Sequence, residues 1–112
     1  MKVCLIEPPK FVSLTNFVST ISMPPIGLAY IAAAIREEGH DVTVVDGPGS
    51  APRNYHIFED EIRVRGLTQE EIIERIPPDT QVIGLGCMFT SHWVYVRQLV
   101  SKIRKLFPKA FL

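Results

Sequence analysis

The chain has 112 residues, 46% hydrophobic and 21% charged, with acidic and basic side chains balanced at 12 each. This is the length of one small domain with one core, and its neutral balance offers no bulk charge for nucleic acid. Two cysteines, Cys4 and Cys87, stand far apart in apolar runs. They exclude a disulfide framework or a zinc site, so a reducing cytoplasm is the expected compartment.

In chain order, Lys2 leads into Val3-Cys4-Leu5-Ile6, an apolar run of strand length that stops at Pro8 and Pro9, which cannot continue a ladder. A central strand covered on both faces is expected, and the run is too short for a signal peptide. Residues 11–35 carry no charge, a length that suggests a membrane span. Ser13, Thr15, Asn16, Ser19, Thr20 and Ser22 make its first half polar, and Pro24-Pro25 interrupts it, so no span is expected. The loop over residues 10–23 exceeds the roughly two to six residues usual between strand and helix, which marks it as functional or disordered.

Pro25 suits the first turn of a helix over residues 25–38, with Ile26, Leu28, Ala29, Ile31, Ala32 and Ile35 as its apolar face and Gly39 as its stop. Val42-Thr43-Val44-Val45 is a second buried strand, halted by Asp46-Gly47-Pro48-Gly49. Strand, helix and strand joined by tight turns make a right-handed crossover with parallel strands. The fold class is therefore α/β, an open parallel sheet of Rossmann-like, flavodoxin-like kind.

Residues 50–65 are less regular and are expected as a wandering connection or a short surface helix. Thr68-Gln69-Glu70-Glu71 is a capping box opening a short helix to Ile76. Pro77-Pro78-Asp79 ends it, residues 81–86 form the third strand, and residues 87–91 a turn. The last helix shows Trp93, Val96, Val100, Ile103 and Phe107 at helical spacing, broadened by Leu99 and Leu106, and ends at Pro108. Residues 110–112 look like a fourth strand cut off as it starts. Residues 1–112 thus read as one domain, incomplete after the third strand and helix, with an unpaired apolar edge open to self-association.

Ligands of open α/β sheets bind beyond the carboxyl ends of the strands, where strand order reverses. That selects the loops over residues 7–25, 46–49 and 87–92. No dinucleotide or P-loop glycine motif occurs. Gly84-Leu85-Gly86 reads first as small residues allowing close approach in a crowded strand, and Asp46 as a turn residue more than a ribose-binding acid. Of the histidines, His40 lies at the wrong end of its strand and His56 in the irregular segment. His92 stands at the ligand edge, where a helix-start role and ligand contact both remain open. Cys87 is expected as a small buried residue packing on a ligand, with a reactive thiolate as the alternative, and Cys4 as core. No carboxylate pair, metal-ligand set or other catalytic group stands out.

Val3 to Pro9, Pro24-Pro25-Ile26-Gly27-Leu28-Ala29-Tyr30-Ile31-Ala32, Glu38-Gly39-His40-Asp41-Val42 with Asp46, and then Pro78 to Gly86 with Thr90 and the helix to Phe107-Pro108 resemble the N-terminal domain of cobalamin-dependent radical SAM enzymes. The resemblance implies a cobalamin-binding domain ahead of a barrel that holds an iron–sulfur cluster and S-adenosylmethionine, often for methylation of an unreactive carbon. It places cobalamin against Pro8, Pro9, Pro24, Pro25, Gly84, Gly86, Cys87, Met88, Phe89, Thr90 and Ser91. The long uncharged loop would lie under the corrin ring, and Gly84, Gly86, Thr90 and Ser91 would admit the nucleotide tail.

Other cobalamin domains ligate cobalt from Asp-x-His-x-x-Gly after the first strand. No histidine stands there, so cobalt without a histidine ligand from this loop is expected. The glycine pair after the fourth strand would fall beyond Leu112, and the three-cysteine cluster motif is absent. The cluster and S-adenosylmethionine would belong to a radical SAM domain in cis or in trans, and this chain alone is not expected to catalyse methyl transfer. Two other readings stay open: the acceptor-binding N-terminal half of a two-domain glycosyltransferase, and a ligand-free interaction module.

Overall fold

The computed structural model describes residues 1–12, 23–59 and 62–112. Ten elements of strand and helix form two small sheets and their covering helices: β1 (Lys2–Glu7), β2 (Lys10–Val12), α1 (Ile26–Glu37), β3 (Asp41–Asp46), α2 (Gly47–Ser50), β4 (Tyr55–Phe58), β5 (Ile62–Arg65), α3 (Gln69–Glu74), β6 (Val82–Leu85) and α4 (Trp93–Leu106). The first sheet runs β3-β1-β6. It is wholly parallel, with Lys2 beside Asp41 through Glu7 beside Asp46 on one flank, and Val3 beside Val82 through Ile6 beside Leu85 on the other. This is the open Rossmann-like sheet expected from the sequence. Phe111 extends it beyond β6, donating its N–H to the Gln81 carbonyl at 2.8 Å and accepting from Ile83 N–H at 2.8 Å.

Local chemistry explains the boundaries. Gly39 takes φ 85° after α1, its N–H donates to the Arg36 carbonyl, and His40 N–H donates to Ile35, the paired bonds of a Schellman stop. At the start of α3, Thr68 Oγ1 accepts from Glu71 N–H at 3.2 Å while Glu71 Oε1 accepts from Thr68 N–H at 3.1 Å, which is the reciprocal capping box.

The two sheet faces bury different sets. Val3, Leu5 and Val42 pack under α1 through Ala32, with Leu28, Ile35 and Val82 at the margin. Cys4, Ile6, Val45 and Ile83 face the larger core, which also takes Ile72 from α3, and Tyr95, Leu99 and Ile103 from α4. The expected face of α1 is thus narrower, since Ile26 and Ile31 are exposed. The stripe of α4 is also rotated. Tyr95 takes the inner position, whereas Trp93 and Leu106 remain outside.

Residues 50–65 differ from expectation. β4 and β5 pair antiparallel, and β5 pairs with β2, giving a second sheet of order β2-β5-β4. Phe58 and Val64 carry this sheet into the larger core. The start of the long loop is therefore a strand, held by a segment more than fifty residues later in the sequence (Phe11 opposite Val64). The remainder of that loop, including Ser13, Thr15, Asn16, Ser19, Thr20 and Ser22, lies outside the described residues.

Among the described residues, no helix is long and apolar enough to cross a membrane.

Candidate functional site

Chain order reverses at β1: the crossover through α1 places β3 on one side, and β6 then pairs on the other. The loops after β1 and β6 leave the sheet in different directions at such a point and open a crevice between them. A cleft of about 870 Å³ lies there. Glu7 and Pro8 line it from the end of β1, Lys10, Phe11 and Val12 from β2, Met23 through Leu28 from the start of α1, and Gly86 through Phe89 from the end of β6. His92 and Val96 close it from the α4 side, and Pro48 and Arg65 from below.

Backbone packing sets the floor. A Cβ on Gly47 would stand 2.6 Å from the Glu7 carbonyl oxygen and 2.9 Å from Pro9 N, so the ends of β1 and β3 meet with no room for a side chain. Asp46, beside Glu7 in register, accepts Gly49 N–H at 2.9 Å and caps α2. Its carboxylate serves the turn. Glu7 is held by Lys10, whose Nζ donates to Oε1 at 2.6 Å, which leaves a compact ion pair on an otherwise largely apolar wall.

The aromatic side is built from separate elements. The His92 ring lies 4.4 Å from Phe11 and 5.5 Å from Phe89, between centroids. His92 occupies the N-cap position of α4, yet its side chain makes no capping hydrogen bond, so the helix-start role open in the sequence is not the one its ring performs. Burial, and then the Lys10 charge, hold its pKa below the ordinary 6.5, against an opposing pull from Glu7. Histidine 92 is therefore mainly neutral at neutral pH.

Of the residues singled out from sequence, Pro8, Pro24, Pro25, Gly86, Cys87, Met88 and Phe89 all line this cleft. Pro9 is fully buried beneath it. Gly84 lies in β6, where an added Cβ would meet Leu5 Cδ2 at 3.0 Å; it serves strand packing and does not line the cleft. Thr90 and Ser91 are exposed in a 3₁₀ turn leading to α4 and do not line it either. Cys87 is exposed and not buried as expected, its thiol donating weakly to the Phe89 carbonyl at 3.7 Å. Cys4 is fully buried, and burial pushes its thiol up to about 11.

Sequence reasoning selects the loop that holds Lys10 and Phe11 without singling either out, and it misses Arg65 and Val96. The first two belong to a strand and not to the expected loop, and Arg65 belongs to a strand whose alternation of Ile62 and Val64 with arginines is the available signal.

Cobalamin is the group the resemblance implies, and the cleft offers room for a large ligand. Its volume is near the top of the roughly 300–1,000 Å³ range of ligand sites. No cluster of metal-ligating side chains occurs among the described residues.

The structure is an open parallel α/β domain with a crevice at its switch point. Over 105 residues, 94% of its length, the chain is 31% identical to an uncharacterized methyltransferase of Pyrococcus horikoshii, and it spans 19% of that protein. No protein-family model matches the chain, and no solved structure matches it significantly.

Proposed function

We propose that this chain is a corrinoid-binding module acting in methyl transfer by a larger assembly that includes a radical SAM domain. The observation that carries the reading is the position of the cleft: a large, mainly apolar crevice at the topological switch point, walled by the proline-rich loop ends and the turn after β6. Similarity to one segment of a methyltransferase supports the methyl-transfer part.

When bound, a corrinoid supplies a cobalt centre able to carry a methyl group. The residues of this chain seat it and exclude water. Pro8, Pro24 and Pro25 present rigid surfaces without spare N–H donors, and Phe11 and Phe89 add flat apolar area. Gly86 keeps the end of β6 low, since a Cβ there would stand 3.1 Å from Glu7 Oε2. The Glu7–Lys10 pair offers the polar groups for amide side chains at the ring edge. On this reading the methyl-transfer chemistry belongs to the ligand and the remaining assembly.

The test is retention of colour. Purified chain mixed with hydroxocobalamin and desalted should keep the red absorption of the corrin, and a colourless, folded product would refute the reading.

A further inference from the structure

We propose that the chain forms a twofold-symmetric dimer in which β3 pairs antiparallel with β3 of a second copy, about Val44, so that two parallel sheets become one continuous sheet. The edge used lies opposite the one that Phe111 extends. No ligand in the cleft is needed for it.

The edge is open, and the direction of its backbone groups is fixed. Asp41 donates its N–H to the Met1 carbonyl at 3.0 Å. In the ladder with β1 the odd residues of β3 therefore turn their backbone groups inward, and Val42, Val44 and Asp46 turn theirs outward. Among the described residues no strand pairs with that side. Between its terminal aspartates the strand reads Val-Thr-Val-Val, without the charge, proline or bulge that blunts an exposed edge.

This outward set matches itself. A twofold axis through Val44 sets Val44 opposite the partner's Val44, and Val42 opposite the partner's Asp46. Each of these residues presents both its N–H and its carbonyl to the other strand, as the hydrogen-bonded pairs of an antiparallel ladder require.

The side chains agree with that register. Val42 packs beneath α1 with Val3 and Leu5, so alternation turns Val44 and Asp46 to the same face. A groove of about 330 Å³ runs there beside α1, lined by Ala29, Ala33, Arg36 and Val44 among others. Val44 is 38% exposed, and the two alanines are too small to obstruct a neighbouring strand. Arg36 reaches over the edge and donates to the Val42 carbonyl at 3.1 Å, the place that the partner's Asp46 would face. Asp46 accepts Gly49 N–H through Oδ1, which leaves Oδ2 for a guanidinium. The dimer thus closes two equivalent Arg36–Asp46 pairs, and this charge complementarity selects a second copy of the chain over other extended strands.

Sedimentation equilibrium of the purified chain over a range of concentrations should show a species of twice the 12.6 kDa of one copy. Val44→Lys places two like charges on the axis, and Arg36→Glu makes both ion pairs repulsive. Each should raise the dissociation constant at least tenfold with an unchanged far-ultraviolet spectrum, whereas Phe111→Ser at the opposite edge should leave it unaltered. Val44→Cys in a Cys87→Ser background reads the register without relying on the lysine variant. Hydrogen-bonded antiparallel neighbours stand about 5.5 Å apart between Cα atoms, within reach of a disulfide, so mild oxidation should cross-link the dimer. A chain that stays monomeric at every concentration overturns the proposal. A dimer unaffected by Val44→Lys and Arg36→Glu, one lost in Phe111→Ser, or one that Val44→Cys fails to cross-link overturns it as well.

Discussion

Gly47→Ala tests how the site is built. The added Cβ would lie 2.6 Å from the Glu7 carbonyl oxygen and 2.9 Å from Pro9 N. Both neighbours are backbone, and Glu7 is held in a parallel ladder with Asp46, so no side chain can rotate away. Forcing a methyl group into such a contact costs typically about 1–3 kcal/mol, which for a domain of this size lowers Tm by roughly 5–15 °C. Thermal unfolding followed by circular dichroism measures it. The control is Gly27→Ala: nothing lies within 4 Å of a Cβ there, and the helix should be unchanged or stabilised by up to about 1 kcal/mol. Because Glu7 and Pro8 form the wall above Gly47, the Gly47 variant should also bind its ligand more weakly. Equal melting temperatures for Gly47→Ala and the unsubstituted chain would refute this account of the floor.

Three further outcomes follow from burial. Tyr95 is 1% exposed, and its hydroxyl has no hydrogen-bond partner among the described residues; Tyr95→Phe should therefore change stability by less than about 1 kcal/mol, or raise it, as read in urea denaturation. A thiol reagent at pH 8 should modify Cys87 quickly and Cys4 only after unfolding, given the exposure of the one and the raised pKa, about 11, of the other. Burial lowers the His56 pKa, against the opposing pull of Glu71 and Glu70. The unfolded chain thus binds the proton more readily, and this contribution is complete above pH 6.5 and lost as the pH falls through the lower folded value. Urea midpoints measured from pH 8 to pH 5 should fall, and His56→Gln should flatten part of that slope.

The parallel sheet was legible because each of its strands is a short apolar run closed by proline or glycine. The helices were legible where caps marked them, as at Thr68-Glu71 and Gly39. What escaped depended on contacts distant in sequence. Lys10-Phe11-Val12 becomes a strand because β5 lies beside it, and nothing local announces that partner. Arg63 and Arg65 masked the alternation of β5, although Arg65 is buried at 5% exposure and Arg63 stacks over Tyr55 at 5.0 Å.

Helix periodicity fixed the position of α4 but not its rotation. Trp93 and Tyr95 both fit an apolar stripe, and only the packing of Phe11 and Phe58 against the Tyr95 ring decides between them. The same limit applies to the site. The prolines and the turn after β6 could be placed from strand ends, whereas Phe11, Arg65 and the stacking of His92 required the second sheet to be known.

Equilibrium dialysis with hydroxocobalamin, run in parallel on the unsubstituted chain and on Gly86→Leu, tests the central claim most directly. A side chain at Gly86 would enter the cleft beside Glu7. Saturable, stoichiometric binding by the unsubstituted chain, weakened at least tenfold in a Gly86→Leu protein with an unchanged far-ultraviolet spectrum, is the expected result. Equal binding by both chains, or binding by neither, would contradict the placement of a corrinoid in this cleft.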